Sequence, residues 1–196
     1  MGKWNHDNDC CPARDNQVIL NCGSGSGVIL PSHSESHSQL FNPYVVATVT
    51  LDTTCFCHPT VKIDFSSIIS FKESGYDPSD LRLTFQLSKV CDGAKAVLGT
   101  WNFERFFKKE GYGWGVANAA GQENAQVSGG GYNSSFTAQT VDSFGFTWCE
   151  CQDCPGCCQY MVELINVESK NVDFAAVTNA GITAMAVGPR MHDNDR

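Results

Sequence analysis

Cysteine is the residue type with the most chemical potential here, because a chain of 196 residues carries eleven of them. A cytosolic enzyme normally has far fewer, and such a density indicates disulfide bonds or bound metal. Because the count is odd, one thiol stays unpaired or some bonds leave the chain. The cysteines are Cys10, Cys11, Cys22, Cys55, Cys57, Cys91, Cys149, Cys151, Cys154, Cys157 and Cys158.

The last cysteine cluster partly matches a metal site. Cys151, Cys154 and Cys157 have the spacing of three ferredoxin ligands, but Met161 stands where the fourth would fall. The segment 55–58 (CFCH) could add zinc ligands. Cys154 and Cys157 also form a CxxC pair, although the Pro-Gly between them is more typical of a hairpin turn. Disulfides are therefore favoured, and a metal-binding or redox module is the alternative.

Other catalytic groups are sparse. His33 and His37 have a helical ligand spacing, but the serines and glycines around them indicate a loop. We find no nucleophile elbow, phosphate-binding loop or paired-carboxylate pattern. We therefore expect no enzyme activity and no cofactor.

The net charge of −8, from 13 basic and 21 acidic residues, argues against a nucleic-acid partner. No stretch approaches the roughly 18 apolar residues of a membrane helix, so we expect no membrane partner. Residues 1–10 are polar and lack the apolar core of a Sec signal peptide. The cysteine content nevertheless indicates an oxidising environment. We therefore expect an extracellular protein that leaves the cell by another route, such as release of a spore on lysis.

The body of the chain alternates apolar and polar residues at the period of a half-buried β-strand. No segment has a convincing helical stripe. Strand-like runs cover residues 17–22, 44–57, 61–66, 81–88, 97–103, 143–148, 160–164 and 172–187. Eight such runs predict an all-β protein with an eight-stranded jelly-roll β-sandwich.

The rest of the chain is predicted to connect or extend this body. Residues 1–16 form an extended N-terminal connector arm, and residues 17–188 form the jelly-roll domain. That domain has long loops at 23–42 and 108–139, and residues 189–196 form a C-terminal tail.

A jelly-roll order of the eight runs also groups the cysteines. The turns after the second, fourth and sixth runs then lie at one end of the sandwich. Eight cysteines fall there, from Cys55 to Cys158, whereas Cys10, Cys11 and Cys22 do not.

Several strings in this sequence resemble a known group of proteins. They are VILNCGSGSGVILP, VVATVTLDTTCFCHPTVKIDFSSIISF, LRLTFQLSKVCDG, LGTWNFERF and DSFGFTWCECQDCPGCCQYMVELI, preceded by the vicinal pair Cys10 and Cys11. The group consists of small Cys-rich proteins of spore-forming anaerobes and is defined only as a domain of unknown function. The layout resembles, more distantly, the subunits of bacillus endospore appendages.

The appendage resemblance implies a helical filament of jelly-roll subunits. It implies that Cys10 and Cys11, on the arm, form disulfides with neighbouring subunits, and that Cys22 on the first strand is one acceptor. For the second acceptor we select Cys149, because strand alternation points it outward, away from Phe146. The remaining cysteines are assigned to an intrachain disulfide cluster: Cys55, Cys57, Cys91, Cys151, Cys154, Cys157 and Cys158.

Chain geometry is compatible with that implication. Adjacent Cα atoms lie about 3.8 Å apart, closer than a relaxed disulfide allows, so Cys10 and Cys11 should bond elsewhere. An extended 16-residue arm spans up to about 50 Å, against a body about 40 Å across. The arm can therefore reach a neighbour, although folding back onto its own body is the alternative.

The sequence thus predicts a structural subunit that assembles with itself. Sheet edges would pair laterally between subunits, and arm disulfides would link them into an extracellular helical fibre. The alternative is a monomeric Cys-cluster metal-binding or redox module. A carbohydrate-binding jelly roll that uses Trp101, Tyr112 and Trp114 is a third possibility.

Overall fold

The computed structural model describes residues 15–30, 42–74, 78–107, 137–151 and 156–190. Most of the predicted arm, of both predicted loops and of the predicted tail lies outside these residues; within the tail, Pro189 ends the last strand and Arg190 forms a bridge with Phe56. The described part is all-β, as predicted, and its strands form antiparallel sheets. The strands are β1 (Asn16–Cys22), β2 (Ser24–Gly25), β3 (Val28–Leu30), β4 (Tyr44–Asp52), β5 (Thr60–Ser74), β6 (Ser79–Cys91), β7 (Ala94–Phe107), β8 (Thr137–Cys151), β9 (Cys157–Lys170) and β10 (Val172–Pro189).

The strands form two sheets that enclose one core. Sheet I has the order β1-β10-β5-β8, with β3 also paired to β10, and sheet II has the order β2-β4-β9-β6-β7. Buried apolar side chains from both sheets form a single cluster between them. This arrangement is a β-sandwich, in which the inner faces exclude water and the outer faces meet solvent.

Strict alternation explains why these segments form strands. On β6, Leu83, Phe85 and Leu87 are fully buried, whereas Arg82 on the other face is exposed. Full burial of such a side chain contributes about 1.5–3 kcal/mol, so a one-residue slip of register would be costly. The hydrophobic pattern therefore determines which face of each strand meets solvent.

Residues 24–25 and 28–30, predicted to belong to a loop, form the short strands β2 and β3 instead. The chain crosses from sheet I to sheet II at Gly23 and returns after Gly25. A Cβ atom at Gly25 would collide with the backbone carbonyl of Ala180, so only glycine fits there. The predicted second strand ends earlier than expected, at Asp52, and residues 53–59 form a connection.

The residues 172–187 lie in β10, which has neighbours on both sides within sheet I. Its apolar character is therefore that of a central strand rather than of a free edge. Sheet I ends at β8 on one side and at β1, with the short strand β3, on the other. Sheet II ends at β7 on one side and at β4, partly covered by the short strand β2, on the other.

Candidate functional site

The described cysteines other than Cys22 lie towards one end of the sandwich, which we call the cysteine pole. Strand register places Cys91 opposite Cys158 and Cys157 opposite Asp52 in sheet II. In sheet I, Cys151 lies opposite Thr60, the first residue of β5. The chain connection 53–59, which contains Cys55 and Cys57, joins the two sheets here.

A disulfide joins Cys91 on β6 to Cys158 on β9, with the two Cα atoms 4.5 Å apart. Its sequence separation is 67 residues, so it closes a long loop. Cys158 is buried and its partner is half-buried, so the bond belongs to the core at this end. Cys57 is also disulfide-bonded.

A charged network connects the two sheets beside that disulfide. Lys89 Nζ lies 2.8 Å from Glu150 Oε1, and the hydroxyl of Tyr160 donates to the same oxygen at 2.9 Å. Lys89 and Glu150 are only 20% and 16% exposed, so this ion pair is partly desolvated. Desolvation offsets much of the attraction in a pair of this kind, but removing one partner leaves the other charge partly buried and is destabilising.

The connection 53–59 is held by backbone and side-chain hydrogen bonds. Thr53 is fully buried, and its backbone N–H donates to the carbonyl of Gly156 at 2.9 Å. The backbone N–H of Gly156 donates to the Thr53 hydroxyl at 3.0 Å. The N–H of Cys57 donates to the carbonyl of Pro189 at 2.8 Å. Within the described residues, these hydrogen bonds therefore join the connection 53–59 to Gly156, just before β9, and to Pro189 at the end of β10.

Three unpaired thiols share the outward face of sheet I, which we call the thiol face. Cys149 and Cys151 on β8 are exposed and alternate with half-buried Trp148 and Glu150. Cys22 is exposed and lies on β1, the opposite edge strand. The cross-strand register through β10 and β5 aligns it with Thr147 of β8, which faces outward. The face is therefore defined by Cys22, Cys149 and Cys151 and by the outward residues of the strands between them.

Cys22 is held in place by its neighbours along the chain. The Asn21 side chain donates to the carbonyl of Thr50, across to sheet II, at 2.8 Å. The N–H of Gly23 donates to the carbonyl of Ile182 at 2.8 Å. The thiol is therefore presented on an ordered backbone rather than at a loose strand end.

The thiol face also carries exposed apolar side chains. Val18 and Leu20 of β1 are 61% and 62% exposed, and they lie opposite half-buried Val187 and Met185 of β10. Apolar exposure at a strand edge favours contact with another chain or another segment.

Charged groups lie in the centre of the same face. Lys62 Nζ is 2.8 Å from the Asp64 carboxylate, and the Thr147 hydroxyl donates to Asp64 at 2.6 Å. The hydrogen bond that Lys62 donates to the Asp64 carboxylate raises the pKa of Lys62, and its Coulombic interaction with Cys149 acts in the same direction. Strand register places Lys62 directly opposite Cys149.

The chemistry available at this site is thiol chemistry. Among the described residues, Cys22, Cys55, Cys149, Cys151 and Cys157 are unbonded. In the same part of the chain, no group of three His, Cys, Asp or Glu side chains is placed to hold a metal ion. Nor does any helix there have the length and hydropathy to span a bilayer.

A family model for a domain of unknown function, DUF4489, matches residues 16–187 of this chain. The chain belongs to the DUF4489 family. No curated protein matches the sequence. The family match spans β1 to β10, and therefore includes the cysteine pole and the thiol face.

The structure brings some of the predicted site residues together. Cys22 and Cys149, selected as intersubunit acceptors, are unbonded and exposed on one face. Of the residues assigned to the intrachain cluster, Cys91 and Cys158 bond to each other, whereas Cys55, Cys151 and Cys157 are unbonded. Cys10, Cys11 and Cys154 lie outside the described residues.

Sequence reasoning missed the charged residues of the site. Lys62 is an outward residue of a predicted strand, and Lys89 and Glu150 occur in or beside others. Their partners depend on the register between strands that are 61 to 87 residues apart in sequence. The alternation pattern predicts which face of the sheet carries Lys62, but it cannot identify the residue opposite Lys62 on the neighbouring strand.

Proposed function

We propose that this chain is a structural subunit of an extracellular, disulfide-cross-linked helical filament of the endospore-appendage or fimbria type. The single observation that carries the proposal is the thiol face. Exposed thiols at both edges of one sheet, on a body with its own intrachain disulfide, are suited to bonds with other chains. The role is structural rather than catalytic.

The strand order supports a jelly-roll body. Two sheets with the long strands ordered β1-β10-β5-β8 and β4-β9-β6-β7 have the connectivity of two interlocked four-stranded sheets. The short strands β2 and β3 are additions within the first connection. The appendage resemblance of the cysteine pattern implies the same kind of body.

Lateral growth follows from the strand directions. Each sheet contains four long strands in antiparallel alternation, so the two outer strands of a sheet run in opposite directions. A head-to-tail neighbour can therefore add its first strand to the last strand of the sheet without breaking the alternation. Such a heterologous contact does not close and generates a helical polymer.

Disulfide bonds make the lateral contact between subunits covalent. The arm, which contains Cys10 and Cys11, precedes β1 and supplies thiols for bonds to Cys22 and Cys149 of other subunits. Covalent links protect a fibre from dissociation, so its persistence depends on reduction as well as on the folding equilibrium.

Electron microscopy of the purified full-length protein, before and after reduction, tests the assembly. Helical fibres that form in oxidising buffer support the proposal. Isolated particles under all conditions, with zinc or iron bound stoichiometrically by elemental analysis, would instead support the metal-binding alternative.

A further inference from the structure

The exposed thiols of the described pole and thiol face differ in the residue that lies opposite them. Cys149 lies opposite a lysine, Lys62. Cys151 lies opposite Thr60, and Cys22 lies opposite Thr183. Cys157 lies opposite Asp52, a carboxylate. The four thiols therefore form a graded series with a cationic, a neutral or an anionic cross-strand partner.

The cation opposite Cys149 matters because the thiolate is the nucleophile in disulfide chemistry. Side chains directly opposite each other in an antiparallel pair have Cβ atoms about 4.5–5.5 Å apart. A nearby ammonium favours the thiolate over the thiol, and a nearby carboxylate disfavours it. The effect is modest at an exposed site, because water and salt screen the charges.

Asp64 limits this effect. Its carboxylate binds the Lys62 ammonium at 2.8 Å and lies two residues along the same strand. Lys62 and Asp64 are 41% and 42% exposed, so the pair is hydrated rather than locked. The ammonium is thus bound to a carboxylate on its own strand, while Cys149 lies opposite it on the neighbouring strand.

We propose that Lys62 activates Cys149 and makes it the most reactive exposed thiol of the cysteine pole and thiol face. The biological meaning of this inference rests on the proposed function, since Cys149 would then initiate intersubunit bond formation. Its thiolate attacks one sulfur of a small disulfide such as oxidised glutathione. A mixed disulfide forms, and the other sulfur leaves as a thiolate that takes up a proton. A thiol of a neighbouring subunit then displaces the bound glutathione, which leaves the two chains joined.

The test is the rate at which each thiol is alkylated in the folded full-length protein. The exposed thiols are first reduced with a mild reductant, which is then removed, and iodoacetamide is added at low ionic strength. Digestion with a protease that cleaves after Glu150 separates Cys149 from Cys151. Tandem mass spectrometry then locates the label within each peptide, which distinguishes Cys151 from Cys157 on the peptide 151–163.

We expect Cys149 to react roughly two- to fivefold faster than Cys151 and Cys22, with Cys157 the slowest. In Lys62→Gln the rate of Cys149 falls to that of Cys151, whereas Lys62→Arg retains it. In Asp64→Asn the rate rises, because the ammonium no longer has a competing carboxylate. Lys72→Gln, an exposed lysine further along the same strand, is the matched control and changes nothing.

Two results would overturn the inference: a Cys149 rate equal to that of Cys151, or a rate unaffected by Lys62→Gln. Circular dichroism of each variant verifies the fold. If the rates are equal but reductant-sensitive polymers form, this inference fails and the filament proposal stands. If Cys149 is fast but no polymers form, the filament proposal fails and the activation of Cys149 stands.

Discussion

Cys22 and Cys149 lie on the same outward face of sheet I, on its two opposite edge strands, with β10 and β5 between them. Register places Cys149 two residues beyond Thr147, which aligns with Cys22. Three strand spacings and this offset separate their Cα atoms by about 16 Å. A disulfide needs about 4.4–6.8 Å, so the two cannot bond within one folded subunit. Under the filament proposal, each is therefore available to a different chain.

This separation predicts how cross-linking responds to substitution. We expect Cys22→Ser and Cys149→Ser each to remove one class of intersubunit bond, because the proposed function assigns the two thiols to separate acceptor positions. The double variant should lose both. Mass spectrometry of cross-linked peptides from unreduced fibres measures this directly. Cys157→Ser, which removes an exposed thiol from sheet II, is the matched control. Unchanged cross-links in the double variant would refute the assignment.

The Cys91–Cys158 disulfide should stabilise the body independently of assembly. Replacing both cysteines with alanine should lower the free energy of unfolding by about 2–4 kcal/mol, because the bond restricts the unfolded chain. Urea denaturation of the monomer, with its exposed thiols kept reduced, gives the free energy of unfolding. Tryptophan fluorescence monitors the transition. A matched Cys149→Ala, Cys151→Ala pair should have little effect. Equal stability of the two double variants would show that this bond contributes nothing.

The glycines at which the chain crosses between the two sheets should not tolerate a side chain. Gly25→Ala forces a Cβ atom into the carbonyl of Ala180, and Gly23→Ala forces one into the carbonyl of Thr48. We expect a loss of about 3 kcal/mol or more, because both obstacles are backbone atoms that cannot rotate away. The control is Gly156→Ala, where a Cβ atom would meet nothing within 4 Å. Thermal unfolding compares the three variants, and an undisturbed Gly25→Ala would contradict the close approach.

An ion pair on sheet II predicts an acid dependence of stability. Burial alone would raise the pKa of Glu163, but hydrogen bonds from Lys95 and Ser88 outweigh it and hold that pKa below its ordinary value. The stability that this carboxylate contributes is therefore complete above its unfolded pKa and is lost as pH falls through the folded value.

Glu163→Gln tests this dependence. The difference in unfolding free energy between native protein and variant should be largest near neutral pH and should shrink below about pH 4. Its size should be modest, since Lys95 is 44% exposed and solvent screens the pair. Urea titrations at several pH values measure it. A difference that grows on acidification would contradict the sign.

The fold class was predictable because alternation is a local signal. On β6, the buried set from Leu81 to Leu87 can be read from the sequence without any partner strand. The same holds for the outward position of Cys149, which alternates with the inward-facing Phe146. The period and composition of the local sequence are sufficient to predict these features.

The remaining features depend on register and on backbone contacts between distant segments. Nothing near Lys62 in sequence shows that it lies opposite Cys149, because the two are 87 residues apart. The strands β2 and β3 escaped prediction because a Gly- and Ser-rich segment is typical of a loop. They form because Gly23 and Gly25 let the chain cross between the sheets in close contact with other backbone segments. Residue propensities do not predict such a tertiary contact.

The central claim is that subunits of this protein are joined by disulfides. One denaturing gel of native or purified assembled material, run with and without reductant, tests it most directly. We expect a ladder or an immobile band without reductant that collapses to a 21.3 kDa monomer on reduction. A single monomer band in both lanes would contradict it.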